Sequence, residues 1–376
     1  MKIGINATIL GDKPTGLGIY TINIINELVT QAYGEGHEVV IYTSHKEPFT
    51  NSKAEVREVS KYTSPKYGKL AGMFRFIWNQ VMLPFYSTMD KVDIIYSTTH
   101  HGSFFGKDSQ ILTIHDTLPL IFPKQHKLQN YYFKYIIPLL LRKTKGLVTV
   151  SNSTKDDLVK NFNYSNSNID IVYNSYNKDH FKYNVDEKYK NEYGRYFLFV
   201  GASYPHKNLD RALEALKELY KNEDFKDVKI LITGGRKDYT DIIIEKFQQY
   251  SFFENVVLLD YVPFNELPKL YSNAIALVYP SLYEGFGIPP IEAMACMCPT
   301  IVSNKSSLPE VCGDASIYIN PEDKNDIYKA MKKMLVDKKL RGELIERGLL
   351  NCERFQWDKS ASELLKLLNE KGGEAG

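Results

Sequence analysis

Residues 283–295 read Tyr-Glu-Gly-Phe-Gly-Ile-Pro-Pro-Ile-Glu-Ala-Met-Ala. They set two carboxylates, Glu284 and Glu292, eight positions apart with Gly285, Gly287, Pro289 and Pro290 between them. The glycines let backbone approach a ligand closely. The prolines lack N–H groups and suit a helix start, so the spacing predicts a loop followed by a helix over Ile291–Cys296. A helix N-terminus presents unpaired N–H groups and a positive dipole end, which favour a phosphate. A carboxylate on either side can accept hydrogen bonds from hydroxyls. A ligand with sugar hydroxyls at one end, a diphosphate in the middle and a ribose at the other fits that order. An ordinary βα loop with a solvated Glu284 has the same local pattern, so the rest of the chain has to discriminate.

Three further groups are placed where chemistry is expected. Gly16-Leu17-Gly18 follows the first apolar run and precedes a helical pattern. His115-Asp116 comes directly after Ile111–Ile114, and Gly201 to Asn208 follows Tyr196–Val200, with Lys207 available to neutralise a phosphate. Each also has a plain structural explanation: a satisfied core histidine for His115, a surface lysine for Lys207. Asp156-Asp157 reads as a solvated helix face rather than a metal pair, and no divalent metal is expected. Cys296, Cys298, Cys312 and Cys352 complete no zinc pattern and read as reduced packing residues.

The elements that must carry these groups follow a regular rhythm. Strands are expected at Lys2–Asn6, Glu38–Tyr42, Asp93–Tyr96, Ile111–Ile114, Gly146–Val150 and Ile169–Tyr173, with a helix over Thr21–Val29. The polar stretch Asp179–Arg195 reads as a linker. The rhythm then restarts at Tyr196–Val200, Lys229–Thr233, Asn255–Leu259, Ala276–Tyr279, Thr300–Val302 and Ser316–Ile319, with helices over Leu209–Tyr220 and Asp238–Tyr250. Short apolar strands alternating with helices predict doubly wound parallel sheets, and 376 residues suffice for two such domains. In sheets of this kind ligands bind at the carboxyl ends of the strands, where the groups above fall. Two such domains facing each other would form a cleft there.

A hydrophobic share of 43% and a charged share of 24% place the chain among globular proteins rather than disordered ones. No apolar run reaches the roughly 18 residues of a membrane span. The start, Met-Lys-Ile-Gly-Ile-Asn, looks like a strand rather than a signal peptide, so a cytoplasmic location is expected. Net charge is +2, yet residues 1–178 hold 20 Lys and Arg against 14 Asp and Glu, leaving the remainder net acidic. A basic first half suits an anionic partner such as lipid phosphate or a membrane surface, or reflects ordinary drift in surface charge. No nucleic-acid partner is expected.

At these residues the chain resembles the retaining, nucleotide-sugar-dependent glycosyltransferases of family 4, and the resemblance covers nearly its whole length. Ser281 to Cys296 is similar to the family's Glu-x7-Glu signature, and Ser303-Asn304 through Ala315 continues it. Val150–Leu158 and Ile171–Phe181 look like the end of the family's first domain. Phe355-Gln356-Trp357 resembles the point where its last helix crosses back. The resemblance implies an α/β GT-B fold: two Rossmann-like domains facing a central cleft. It implies an acceptor-side domain over 1–178, a nucleotide-sugar domain over 179–355, and a final helix over 356–376 returning to the first. Glu284 would bind a hydroxyl of the transferred sugar, and N–H groups around Gly285, Phe286, Gly287 and Ile288 would hold sugar and phosphate. Glu292 would bind the ribose, Lys207 the diphosphate, Tyr261 and Val262 the base. Gly16 and Gly18 would admit the diphosphate, and His115 would be the catalytic-site histidine. The donor nucleotide sugar is then the only small molecule required, with no cofactor. His206 stands where the family often has Arg, which puts a strong clamp on the diphosphate in doubt, and Met297 stands where Gly is usual.

Other functions share parts of this pattern. A nucleotide-sugar epimerase or hydrolase would have the same architecture and would form no acceptor-dependent product. A dinucleotide-dependent dehydrogenase fits poorly, because no Gly-x-Gly-x-x-Gly opens a helix with an acidic residue about 20 later. The full set of site residues argues against a non-enzymatic binding module. The acceptor is expected to be a saccharide or lipid-linked saccharide in bacterial polysaccharide assembly. Residues 53–91 carry Lys61, Lys66, Lys69 and Arg75 among Tyr62, Tyr67, Phe74, Phe76, Trp78, Phe85 and Tyr86. They read either as a helix whose apolar face over Leu70–Leu83 meets the sheet, with Lys69 and Arg75 at its edge, or as a basic, aromatic surface that meets an anionic membrane.

Overall fold

Short continuous apolar runs become strands because a parallel sheet covered on both faces needs no polar alternation. The computed structural model describes residues 1–12, 16–106, 109–234 and 238–373, apart from the side chains of Lys69 and Lys190. The chain divides into two units, Met1–Ser175 with Gln356–Gly376, and Tyr176–Phe355.

In the first unit the strands are β1 (Lys2–Asn6), β2 (Glu38–Thr43), β3 (Glu55–Glu58), β4 (Ile94–Ser97), β5 (Gln110–Ile114), β6 (Gly146–Thr149) and β7 (Ile169–Ile171). They form one parallel sheet in the order β3-β2-β1-β4-β5-β6-β7, with Ile5 opposite Ile41 on one side and Tyr96 on the other. The direction in which successive strands are added therefore reverses between β1 and β4, while all strands stay parallel. The last helix, Trp357–Gly373, belongs to this unit. Its Ala361, Leu364, Leu365, Leu367 and Leu368 are buried in one core with Tyr20, Ile24, Ile25 and Leu28 of the helix Gly16–Gly34. Gln31 reaches the Asp358 carbonyl at 2.8 Å, and Ser360 that of Tyr173 at 2.7 Å.

The second unit repeats the plan. Its strands are β8 (Tyr196–Val200), β9 (Lys229–Thr233), β10 (Val256–Leu259), β11 (Ala276–Tyr279), β12 (Thr300–Ser303) and β13 (Ser316–Ile319), all parallel, in the order β10-β9-β8-β11-β12-β13. Phe197 pairs with Ile230 and with Ala276, and the reversal point lies between β8 and β11. The core packs Phe197, Phe199, Leu213, Leu216 and Ile232 with Met331 and Met334.

Several expectations need correction. The stretch Asp179–Arg195 is not a linker. It carries the helix Glu187–Tyr193 and is held to the second unit by Asn184 N–H on Ser272 at 3.0 Å, Lys269 on Asp186 at 3.3 Å and Tyr189 on Glu266. The units accordingly divide after Ser175 rather than after residue 178. The strand β3 had no apolar run to reveal it. Its sequence is Glu-Val-Arg-Glu, and it is an edge strand, where charge is normal. The first helix starts at Gly16 rather than Thr21, so Gly16 and Gly18 are helical. The helix after Gly287 starts at Ile288, since Pro289 and Pro290 fit its first turn.

Candidate active site

The reversal point of the second sheet is where two loops meet, one after β8 and one after β11. Gly201 and Gly234, at the ends of β8 and β9, have φ of +86° and +121°. A Cβ on Gly234 would stand 2.8 Å from the Gly201 Cα, so the two backbones touch and no side chain fits. The 3₁₀ turn Pro205–Lys207 ends at Asn208 in the left-handed region. Asn208 Nδ2 donates to the carbonyls of Pro280 at 3.1 Å and Pro321 at 2.7 Å, and Leu282 N–H donates to His206 O at 2.8 Å. These bonds tie the β8 loop to the β11 loop.

That seam brings Lys207 onto Glu284. The Lys207 ammonium donates to Glu284 Oε1 at 2.7 Å and to the Tyr279 hydroxyl at 2.6 Å, and lies over the Tyr279 ring at 4.9 Å. Glu284 is only 8% exposed. Burial alone would raise its carboxyl, but the charges of Lys207 and His206, with hydrogen bonds from Lys207 and Ser281, hold it below the usual range. The site therefore contains an ionised, buried carboxylate and a cation in direct contact. Glu284 N–H donates to Ser306 Oγ at 2.9 Å, and Ser307 Oγ donates to the carbonyls of Glu284 and Phe286 at 3.0 and 2.7 Å. Gly287 has φ +106°, and a Cβ there would meet Leu308 at 2.6 Å. Only glycine can make the turn into the helix Ile288–Ala295.

Glu292 stands in that helix, partly buried, and accepts from Tyr271 Oη at 3.1 Å. Burial pushes its carboxyl up to about 7, against a partial offset from the Tyr271 hydrogen bond. Phe286 turns inward against Phe355, ring centroids 5.5 Å apart, so its side chain is core. Gly285 and Ile288 remain partly accessible. His206 is buried and lies parallel to the Tyr204 ring. Tyr261 is 83% exposed and follows β10 with Val262, two strands from β8 and apart from the Lys207–Glu284 pair.

In the first unit, His115 follows β5. Its Nε2 meets the Thr98 carbonyl at 2.9 Å, and its ring stands edge-on to Tyr20 at 4.5 Å. A carbonyl can only accept, so the proton sits on Nε2 and Nδ1 is left as an acceptor. Burial pulls the imidazole down to about 4, with the Thr98 carbonyl opposing, so His115 is neutral at pH 7. Asp116 accepts from Leu118 N–H at 3.0 Å and braces the turn. Among the described residues no atom lies within 4 Å of a Cβ built on Gly16. Among the described residues no group of three or more His, Cys, Asp or Glu could hold a metal ion, and the four cysteines are free and buried.

Asn208, Ser306 and Ser307 lay within the motifs read from the sequence but without a role, and Tyr271 and Tyr279 were not singled out. Tyr279 carried a signal: a hydroxyl closing an apolar strand immediately before Pro280.

Known proteins resemble the chain along its length. Residues 14–180 match the family model described as Glycosyltransferase Family 4, and residues 181–350 match Glycosyl transferases group 1. The O-antigen chain mannosyltransferase RfbU of Salmonella typhimurium is 31% identical over 88% of this chain and 90% of its own. The O-antigen chain mannosyltransferase B of Escherichia coli is 27% identical over 93% and 95%. Among solved structures, sucrose-phosphate synthase from Thermosynechococcus elongatus superposes with a TM-score of 0.75 at 16% identity, covering 100% of both chains. Anabaena HepE in complex with UDP and glucose does so with 0.74 at 14%, covering 98% and 99%. These likenesses show the GT-B fold.

Proposed function

Because the chain belongs to the family 4 glycosyltransferases, we propose that it moves a hexose-type sugar, with retention, from a nucleotide diphosphate sugar to a lipid-linked saccharide during assembly of a bacterial surface polysaccharide. The observation that carries the donor half is the Lys207–Glu284 pair at the reversal point of the second sheet. A diphosphate competes for Lys207, and a sugar hydroxyl replaces the ammonium as partner of the ionised Glu284. The N-terminus of the helix Ile288–Ala295 adds N–H groups and a positive dipole end. Glu292 meets the ribose, and Tyr261 and Val262 flank the base. His115 offers Nδ1 at the carboxyl end of β5. The bond from the anomeric carbon to the diphosphate oxygen breaks, the acceptor oxygen bonds the same face of that carbon, its proton passes to the departing phosphate oxygen, and the nucleoside diphosphate leaves. Mannose is the first sugar to test, since the relatives named above are mannosyltransferases. They are transferases rather than epimerases, which favours transfer over isomerisation.

The acceptor half rests on the first unit. The helix Gly68–Met89 buries Ala71, Trp78 and Leu83 inward, yet exposes Leu70, Met73, Ile77, Val81, Phe85 and Met89 at three- and four-residue spacing. It is apolar on two faces. A second helical run, Lys127–Leu141, exposes Leu128, Tyr131, Tyr135 and Leu139 in the same manner, and Phe76 packs against Tyr132 to join the two. Segments 59–89 and 117–155 contain no Asp or Glu and eleven Lys and Arg. An acid-free apolar face fits the anionic inner surface of a membrane. No helix of the described residues is long and apolar enough to cross one. Arg75, expected at the edge of this face, turns inward, and the Lys69 side chain lies outside the described residues. A panel of nucleotide sugars, read by nucleoside diphosphate release with and without a prenyl-diphosphate-linked acceptor, tests the reaction. Release that never depends on the acceptor would overturn it.

A further inference from the structure

No carboxylate among the described residues pairs with Arg75, whereas the partly buried Arg57 of the same unit is paired with Asp90. The Arg75 guanidinium donates through Nη1 to the Thr63 carbonyl at 2.8 Å, and its Nε is buried without a hydrogen-bond partner among the described residues. Two imidazoles share its corner. His100 and His101 follow β4 closely, with ring centroids 4.4 Å apart, and both stand against Tyr132 at 5.5 and 5.9 Å. A hydrogen-bonded run joins these parts at the reversal point of the first sheet. Asn79 Nδ2 donates to Arg75 O at 2.7 Å. Asn6 Nδ2, at the end of β1, donates to Asn79 Oδ1 at 2.6 Å and to His101 O at 3.2 Å.

We propose that Arg75, His100 and His101 form a phosphate-binding subsite of the first unit, and that its ligand is the diphosphate through which a lipid-linked acceptor carries its saccharide. The proposal rests on the acceptor reading given above and specifies which atoms of the acceptor are held. Three observations converge. The place is right, since ligands of doubly wound sheets gather at the carboxyl ends of the strands beside the reversal point. The charge is right, because a half-buried guanidinium without a carboxylate is costly and an anion supplies what is missing. The stretches that supply these side chains, 59–89 for Arg75 and 94–107 for His100 and His101, contain no Asp or Glu. The donors are right as well. Burial first, and then the charges of His115 and Arg75, bring His100 down to about 3. Burial, His100 and Arg75 likewise put His101 well below its ordinary value. Both rings are thus neutral at pH 7, each with one N–H to offer. Burial likewise draws Arg75 down to about 10, the signature of a cation without its counter-charge. A diphosphate accepts from the planar guanidinium fork and from both rings at once.

The probe is inorganic pyrophosphate, with inorganic phosphate and farnesyl diphosphate in parallel arms. Lys207 also attracts a diphosphate, so the full chain carries Lys207→Met throughout. Nitrogen-labelled histidine resonances, assigned with His100→Gln and His101→Gln, report the corner directly. Pyrophosphate should raise the titration midpoints of both rings by about one unit or more, since a bound anion favours the imidazolium. Arg75→Met should abolish that shift, and Arg75→Lys should keep part of it, with circular dichroism confirming that each variant is folded. Tighter binding of farnesyl diphosphate than of pyrophosphate identifies a lipid diphosphate as the ligand; tighter binding of phosphate points to a free anion and overturns that assignment. Histidine signals that ignore all three probes, or that move equally in Arg75→Met, overturn the subsite. If the subsite binds but the chain with Lys207 intact turns over no nucleotide sugar, the failure lies in the transferase reading instead.

Discussion

At the scale of single residues, the contact between Lys207 and Glu284 changes what a mutation should do. Read from the sequence, Glu284 and Lys207 serve different parts of the donor, and removing the carboxylate should leave diphosphate binding unchanged. In the structure the carboxylate occupies Lys207 at 2.7 Å, so Glu284→Gln releases the ammonium. It should tighten binding of a bare nucleoside diphosphate by roughly threefold to tenfold, worth up to about 1.4 kcal/mol, while transfer is lost. Calorimetry against turnover measures the split; weaker diphosphate binding in a folded variant would contradict it. Glu292 gives a pH test. Its carboxyl is pushed up to about 7 by burial, and if Glu292 meets the ribose as proposed, only its ionised form can accept from both hydroxyls. Nucleotide affinity should therefore rise as pH passes from about 6 to 8, and Glu292→Gln should flatten the part of that rise left after the phosphate's own titration is subtracted. The sign for stability is opposite. A carboxyl raised in the folded state binds its proton there more tightly than in the unfolded chain. Its contribution is thus fully present below about 4.5 and declines as pH rises towards 7. In the proposed reaction Lys207 and a helix N-terminus supply the positive charge against which the diphosphate leaves, so activity should survive excess chelator; complete loss restored by magnesium would show that a metal supplies it.

At the scale of elements, what was legible followed from how each element meets its surroundings. Central strands such as Ile111–Ile114 and Ala276–Tyr279 are buried on both faces, and their apolar runs announced them. The edge strand Glu55–Glu58 and the helix Glu187–Tyr193 are held by backbone pairing, ion pairs and tyrosines, which leave no periodic signature. The carboxylates and glycines of 284–292 were readable because their spacing is local. The corner of Arg75, His100 and His101 was not, since its parts lie on a helix and on the loop after β4. The helix Gly68–Met89 was read as either packed on the sheet or facing a membrane, and it is apolar on both sides. This predicts a clean separation of effects. Ile77→Glu with Val81→Glu alters only exposed positions, so the fold should hold within about 0.5 kcal/mol per site. Pelleting with vesicles of anionic lipid should fall several-fold, and Lys61→Glu with Lys66→Glu should act in the same direction through charge. Unchanged pelleting in both folded variants would mean that this face meets something other than anionic lipid.

At the scale of the whole molecule, the two units share one winding order, to which the first adds a seventh strand, and the chain is threaded so that the first is finished last. Residues 1–175 lack the helix Trp357–Gly373, yet the core beside β1 and the helix Gly16–Gly34 is built around its Leu364, Leu365, Leu367 and Leu368. Each fully buried leucine of this kind is worth about 1.5–3 kcal/mol in area removed from water. Without the helix, Ile24, Ile25 and Leu28 would lose that cover. The second unit, Tyr176–Phe355, is continuous in sequence and has no such dependence. Ending the chain at Phe355 should therefore lower the melting of the first unit and leave that of the second in place, separating one thermal transition into two. Leu364→Ala should do the same more gently, costing about 2–5 kcal/mol. Differential scanning calorimetry, with nucleoside diphosphate added to mark the second unit by the upward shift of its transition, assigns the two. A truncated chain whose transitions both fall together would show that the helix supports the molecule as one cooperative body rather than completing the core of one unit.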